Sequence, residues 1–395
     1  MPRMQDKTAR LPRTVWALGL VSLCMDASSE SIHALLPLFL TVSLGATAAT
    51  VGLIDGVAEA VASFAKMFSG YLSDRIGRRK PLVLLGYGLA AFSKPLFPLA
   101  TSAAMVFAAR FADRIGKGLR GAPRDALVAD VTPLEMRGRA FGLRQALDTV
   151  GAFLGPLAAI GLMAAFADNM RLVFWVATIP ALLAVVCVIV GVEDRGAPAA
   201  KPAEAPLHVS ELKGLPSDYW QVIGLAIAFM LARFSEAFLI LKANAVGLPL
   251  MLAPLVLVAM NAVYALGSYP AGAWADRAPP RRLLLVGLGC LIAADLVLAW
   301  SATIAGAFIG IALWGAHMAL SQGLLAKLVA EHAPARLRGS AFGVFHLTTG
   351  LAMLVASVTA GLLWDWRGAS ATFLTGAVFA GLAALLALGV RAKRK

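Results

Sequence analysis

Ionisable side chains sit inside long apolar runs of this 395-residue chain, and they crowd its first half. One run holds Asp26, Glu30 and His33, the next holds Asp55, Glu59 and Lys66, and later ones hold Lys94, then Arg144 with Asp148. The densest stretch, RFADRIGKGLRGAPRDAL at 110–127, carries Arg110, Asp113, Arg114, Lys117, Arg120, Arg124 and Asp125. Positions 113, 117, 120 and 124 are spaced by four, three and four, so they share one face of a helix. A charge at the centre of a bilayer costs about 2.5–3.5 kcal/mol or more, so that face cannot meet lipid. Across these runs eight basic residues stand against seven acidic ones. Near-neutrality predicts an ion-pair network that lines or closes a cavity, some of it purely structural.

The chemistry such residues suit is proton exchange. It needs a carboxylate that is neutral in one state and ionised in another. Asp26 with Glu30, and Asp55 with Glu59, are each one helical turn apart and are the first candidates, with Arg110 or Lys117 as the cation they exchange with and Asp113 as a further coupling candidate. Lys117, Arg120, Arg233, Glu236 and His317 are candidates for the cargo side of the cavity. His33 reads as a packing or helix-capping histidine near the outer end.

These residues require membrane-spanning elements to position them. Hydrophobic residues make up 59% of the chain, charged residues 14%, and the mean hydropathy is +0.78, values that suit a polytopic membrane protein. Twelve windows are long enough to cross hydrocarbon: 14–41, 48–72, 81–99, 103–129, 138–165, 171–192, 219–242, 248–275, 283–300, 303–329, 338–363 and 369–390. The first reads as a retained span rather than a cleaved signal, because Asp26 and Glu30 interrupt it and no small-residue cleavage pattern follows. Residues 193–218 are polar and contain Pro198, Pro202, Pro206 and Pro216, as a linker would.

Two patterns repeat. GYLSDRIGRRK at 70–80 returns as GAWADRAPPRR at 272–282, and RGRAFG at 137–142 returns as RGSAFG at 338–343. The offsets, 202 and 201, agree, so the chain reads as a duplicated six-helix unit. The expectation is an all-α membrane protein of 12 transmembrane helices in two pseudo-symmetric lobes, 1–192 and 219–395, joined by the linker 193–218. Lysine and arginine concentrate in the tails, the linker and the repeated loops, and only Arg171 and Arg367 fall in the opposite loops. Both termini and the linker are therefore expected on the cytoplasmic side of the inner membrane. The same placement accounts for the net charge of +13 through contact with lipid headgroups, without nucleic acid.

At the first repeated loop, Gly70, Asp74, Arg75, Gly77, Arg78 and Arg79 resemble the signature loop of the major facilitator superfamily, and Gly272, Asp276, Arg277, Arg281 and Arg282 resemble a weaker copy. The resemblance spans the whole chain. It implies a latch that favours the outward-facing state, carried by Asp74 and Arg75, while Arg78, Arg79 and Lys80 also read as plain topology anchors. Pro279 and Pro280 displace the glycine of the second copy. In the fifth window Gly142, Gly151, Gly155 and Pro156 resemble the antiporter motif of exporting members, although Ala159 and Ile160 stand where two further glycines usually do. Arg110 resembles the arginine of an R-F-x-Q-G pattern, with Asp113 and Arg114 replacing its glutamine and glycine.

The resemblance implies a monomeric secondary transporter that exchanges protons for a small organic molecule, with no cofactor and no metal. Proton-coupled import of a small organic anion or siderophore uses the same parts, and a transport-inactive sensor shares the scaffold. Enzyme classes find no support. GKGLRG at 116–121 lies inside a window and lacks the Lys-Ser/Thr end of a phosphate loop, and Cys24, Cys187 and Cys290 stand singly without metal-ligand spacing.

Overall fold

A computed structural model describes residues 11–194, 214–275, 278–321, 324–334 and 337–389, and every regular element among them is helical. The long helices before the linker are α1 (Arg13–His33), α2 (Ala48–Ile76), α3 (Lys80–Ser93), α4 (Ala103–Val131), α5 (Arg137–Ala165) and α6 (Met170–Gly191). Those after it are α7 (Ser217–Ala232), α8 (Leu255–Ala275), α9 (Pro280–Trp300), α10 (Ile304–Ser321), α11 (Arg338–Arg367) and α12 (Ala369–Gly389). Most of the linker expected at 193–218, together with Asp276 and Arg277, lies outside the described residues.

Ten stretches of the described chain are long and apolar enough to cross a membrane. The helices α1 and α4 are not among them, and α4 is the element richest in charge. Several of the side chains that lower the hydropathy of α4 are buried in protein: Arg110, Asp113, Arg114 and Arg120 are each less than 5% exposed, while Asp26 and Glu30 on α1 are half-buried.

Helix ends follow local chemistry. The Thr47 side chain accepts the Thr50 amide at the start of α2, Ser102 does the same for Met105 at α4, and Asn169 for Leu172 at α6. Gly77 ends α2 in the left-handed region at φ +69, a conformation glycine adopts without strain. Two expected spans are not continuous. Pro37 cannot donate to the carbonyl of His33, and α1 stops there, followed by a short helix Leu36–Leu38 and a π-helical turn Phe39–Ser43. Pro95 ends α3 in the same way at Ser93 before a turn at Leu96–Leu99. The seventh window breaks between Ala232 and Ala237 with neither proline nor glycine at the break.

Before the linker α1 packs on α5 and α6, while α4 packs on α2 and α3; after it α9 packs on α10 and α12, and α7 on α11 and α12. The two groups meet along α2 and α11, with a smaller contact between α5 and α8. A Cβ on Gly56 would stand 3.1 Å from the Leu354 Cα, one on Gly361 would stand 2.5 Å from the Ala48 carbonyl oxygen, and one on Gly52 would overlap the Ser357 carbonyl. The missing side chains let the two backbones touch from Ala48 to Ala60. At the same end the Asp365 carboxylate accepts the Ala48 and Ala49 amides at 2.9 and 2.8 Å, so α11 caps the amino terminus of α2. Nearer the 70–80 loop, Lys66, Phe68 and Leu72 on α2 are exposed.

Candidate functional site

The largest gathering of charge surrounds a cavity of about 290 Å³ between the two groups of helices. Glu30, His33, Asp55, Glu59, Arg110, Arg114, Lys117 and Ala152 line it from one side, and Arg233, Phe234, Ser235, Glu236, Asn261, Met353 and Ser357 from the other. Spacings of three and four put Asp55 with Glu59 on one face of α2 and Arg110, Arg114 and Lys117 on one face of α4, and those faces line the cavity together with Glu30 of α1.

Most of these charges are paired. Arg110 Nη2 lies 3.4 Å from Asp55 Oδ1, Arg114 Nη1 3.4 Å from Glu59 Oε1, Arg233 Nη2 3.8 Å from Glu236 Oε1, and His33 Nδ1 3.4 Å from Glu30 Oε2. Among the described residues Lys117 makes no ion pair within 4 Å, and it is exposed to the cavity. The Glu59 side chain is 48% exposed and its partner Arg114 4% exposed, so the carboxylate is the more accessible member of the pair.

One link crosses between the groups through Asp55. Ser235 Oγ donates to Asp55 Oδ2 at 2.8 Å while Arg110 holds the other oxygen. Ser235 can do this because α7 is broken at 233–236. The freed Ser235 amide donates to Ser357 Oγ at 3.2 Å, and Ser235 Oγ accepts the Ala237 amide at 3.1 Å. An unwound segment that lines a polar cavity can find partners for backbone groups that hydrocarbon would leave bare.

The cavity gathers Glu30, Asp55, Glu59, Arg110, Lys117, Arg233 and Glu236, all expected from the sequence, and leaves others out. Asp113 is buried against Lys94, with Nζ to Oδ1 at 2.8 Å and the same Nζ donating to Ser29 at 2.9 Å, on the α3 side of α4. Asp26 does not line the cavity; its charged neighbours are Asp148, Lys117 and Arg120. Two cargo-side expectations are corrected. Arg120 lies over the Tyr87 ring at 4.6 Å, turned toward α3. His317 is fully buried, with Nδ1 2.9 Å from the Gly287 carbonyl and its ring against Phe229, because α9 and α7 occupy the space it was expected to face. His33 is corrected in the other direction: it reaches Glu30 and stands 3.9 Å from Asp55, inside the cavity rather than capping a helix. Asn261 and Ser357 were missed, since a single small polar residue in an apolar run does not announce which way it faces.

The repeated loop is likewise more specific than an anchor. Arg79 is buried and pairs with Asp74, with Ser73 and with Asp130, the last at 3.4 Å. Burial works against its charge, but Asp74 and Asp130 more than compensate and hold its proton more tightly than usual. The backbone amides of Arg79 and Lys80 donate to one Asp194 oxygen at 2.8 Å, and Lys80 Nζ donates to the Ile189 and Val192 carbonyls. Arg75 is exposed beside Tyr71, Arg78 is exposed, and Gly70 packs against Ala122. In α5, Gly151 and Gly155 let the helix lie on α1 at Leu23 and Ala27, where Ser31 Oγ donates to the Gly155 carbonyl at 2.8 Å. Pro156 sits within a continuous α5, and Gly142 faces open space, so close packing does not require it.

Comparison with known proteins gives a consistent account. The family model described as Major Facilitator Superfamily matches residues 18–357 and 225–395. An uncharacterized MFS-type transporter of Methanocaldococcus jannaschii is 29% identical over 400 residues, covering 98% of this chain and 97% of the relative. Multidrug resistance protein 2 of Bacillus subtilis is 23% identical over 310 residues, 75% of this chain and 76% of that protein. Among solved structures, the nucleoside transporter NupG superposes with a TM-score of 0.78 over 95% of this chain and 98% of its own, at 13% identity, a likeness of fold alone.

Proposed function

The chain belongs to the major facilitator superfamily and is a transporter, and from that premise we propose that it is a proton-coupled secondary carrier exporting a small organic molecule. In this reading twelve spans form two six-helix lobes that work as a monomer by alternating access, with both termini on the cytoplasmic side of the inner membrane. The observation that carries it is the charged cavity lined from both halves beneath the α2–α11 seal. Rocking one half against the other would break the Asp365 cap and the Ser235–Asp55 link and close the opposite end. The 70–80 loop, with Asp74 released from Arg79, is the natural latch for that second state.

Export by exchange requires that proton and cargo exclude one another. Glu59 and Glu30 supply this: each faces the cavity, Glu59 beside Arg114 and Glu30 beside His33, and a cargo that engages the carboxylate competes with its proton. Relatives named as multidrug resistance proteins favour export. One observation favours the second reading, proton-linked uptake of an organic anion. Among the described residues Lys117 faces the cavity without an ion pair, and a proton on Glu30 or Glu59 would strengthen its hold on an anion, so the two would travel together.

Transport into proteoliposomes separates these readings. After a thermal-shift screen has supplied a cargo, a lumen more acidic than the bath drives it inward under exchange, and the opposite gradient drives it inward under co-transport. The double variant Glu30→Gln with Glu59→Gln is expected to lose gradient dependence while still equilibrating cargo. Full gradient dependence in that variant would sink both carboxylates as the relay.

A further inference from the structure

A second cavity, of about 440 Å³, lies between α5 and α8 and adjoins the charged one, with Ala152 and Asn261 lining both. Its walls are Val150, Phe153 and Leu154 on α5 and Ala262, Tyr264 and Ala265 on α8, with Gln145, Asp148 and Thr149 at one end. Val150, Phe153 and Leu154 are 44%, 38% and 47% exposed, so the cavity reaches the outer surface of the helices. Residues 150–154 fall at the middle of α5 (Arg137–Ala165), and 261–265 near the middle of α8 (Leu255–Ala275). A mouth at that depth opens into hydrocarbon rather than into headgroups or water. Two chambers of this size suit the two parts of a drug-sized ligand, for which pockets of roughly 300–1,000 Å³ are usual.

We infer that the cargo is a single-bodied amphiphile that enters from the bilayer between α5 and α8, leaving its apolar body in the side cavity and placing its charged head among Glu30, Glu59, Arg114 and Lys117. The physical reason is complementarity at both ends. Hydrocarbon can pass a mid-membrane mouth walled by valine, phenylalanine, leucine and alanine at little cost, whereas a wholly polar solute cannot. A charged head is costly against that apolar wall and is drawn toward the neighbouring cavity, where charged side chains meet it. Ala152 presents only a methyl group where the chambers adjoin. The inference rests on the carrier reading, but not on the direction of transport or on proton coupling.

Photolabelling in proteoliposomes without any gradient tests it. Two matched probes, an alkyl carboxylate and an alkylammonium each carrying a terminal diazirine, are illuminated on the intact protein and the labelled residues mapped. At least one probe is expected to label Val150, Phe153 or Tyr264 saturably, about tenfold above Val190 of α6 and Leu385 of α12, which report ordinary surrounding lipid. Its unlabelled analogue should displace it. Ala152→Phe and, independently, Asn261→Leu should each lower that labelling about fivefold, with unfolding temperatures measured alongside so that a misfolded variant is recognised and the other used. Labelling no stronger at α5–α8 than at α6 and α12, or indifferent to both variants, overturns the inference. Because no gradient is applied, failure of proton exchange leaves this readout unchanged. The probe that saturates also reports the sign of the head.

Discussion

A lysine inside hydrocarbon is tolerable only with a partner, and Lys94 has two, Asp113 at 2.8 Å and Ser29 at 2.9 Å, at 1% exposure. Asp113 is expected from the sequence to join the proton-coupling set, yet its place behind α4, away from the cavity, argues for a structural pair. The two roles separate experimentally. Lys94→Met leaves the Asp113 carboxylate buried with only Arg110 at 4.0 Å, and should destabilise the fold by about 3–5 kcal/mol. Replacing both, Lys94→Met with Asp113→Leu, should recover most of that loss in detergent unfolding and retain gradient-driven transport per folded molecule. Loss of gradient dependence in a well-folded double variant would return Asp113 to the relay. That the charged residues of α1, α2 and α4 converge was legible in the sequence, because burial in lipid forbids any other arrangement. Which of them meet was not: Arg120 and His317 are turned away and His33 turned in, because the rotation of each helix about its axis is set by its neighbours, which no single-chain pattern encodes.

At the scale of elements, the α2–α11 seam was only half legible. Gly52 and Gly56 on α2, and Gly361 on α11, sit at small-residue spacings, but small residues are common in every span here, and neither the window nor the repeat at 338–343 says which helix α11 meets. The proline breaks after α1 and α3 follow from chain chemistry, whereas the break in α7 carries no proline or glycine and is held by tertiary contacts of Ser235. Those elements give a sharp expectation for Asp365. A carboxylate on the first amides of a helix is worth about 0.5–2 kcal/mol, and this one joins the two halves rather than neighbouring turns. Asp365→Ala should therefore shift the balance toward opening at that end by about 1 kcal/mol, roughly a fivefold change in populations. Spin labels at Thr47 and Trp366 would read this as a longer-distance population absent from the parent. An unchanged distance distribution would mean that glycine packing alone holds the seam.

For the whole molecule, the contacts lie unevenly along the membrane axis. One large core joins residues from both halves, running from Ile32 and Phe39 through Val51 and Phe174 to Phe238 and Phe373, whereas a second, built around Val15, Tyr87 and Val188, belongs to the first half alone. The halves are thus fused toward the Asp365 end and separate toward the 70–80 loop, the arrangement a rocking carrier would have in one of its two states. If they rock as bodies, opening one end must close the other, because packed cores move between discrete arrangements rather than stretch. Two label pairs make that quantitative: Thr47 with Trp366 at the sealed end, and Leu72 with Leu266 on the exposed faces of α2 and α8. Cys24, Cys187 and Cys290, all free and half-buried, are first replaced by alanine. On adding cargo or imposing a gradient, populations with a longer Thr47–Trp366 distance should show a shorter Leu72–Leu266 distance, in equal proportion. The Asp365→Ala variant should produce the same paired shift without cargo. Distances that lengthen together, or a first pair that moves while the second stays fixed, would replace rigid rocking with local bending of α2 and α11.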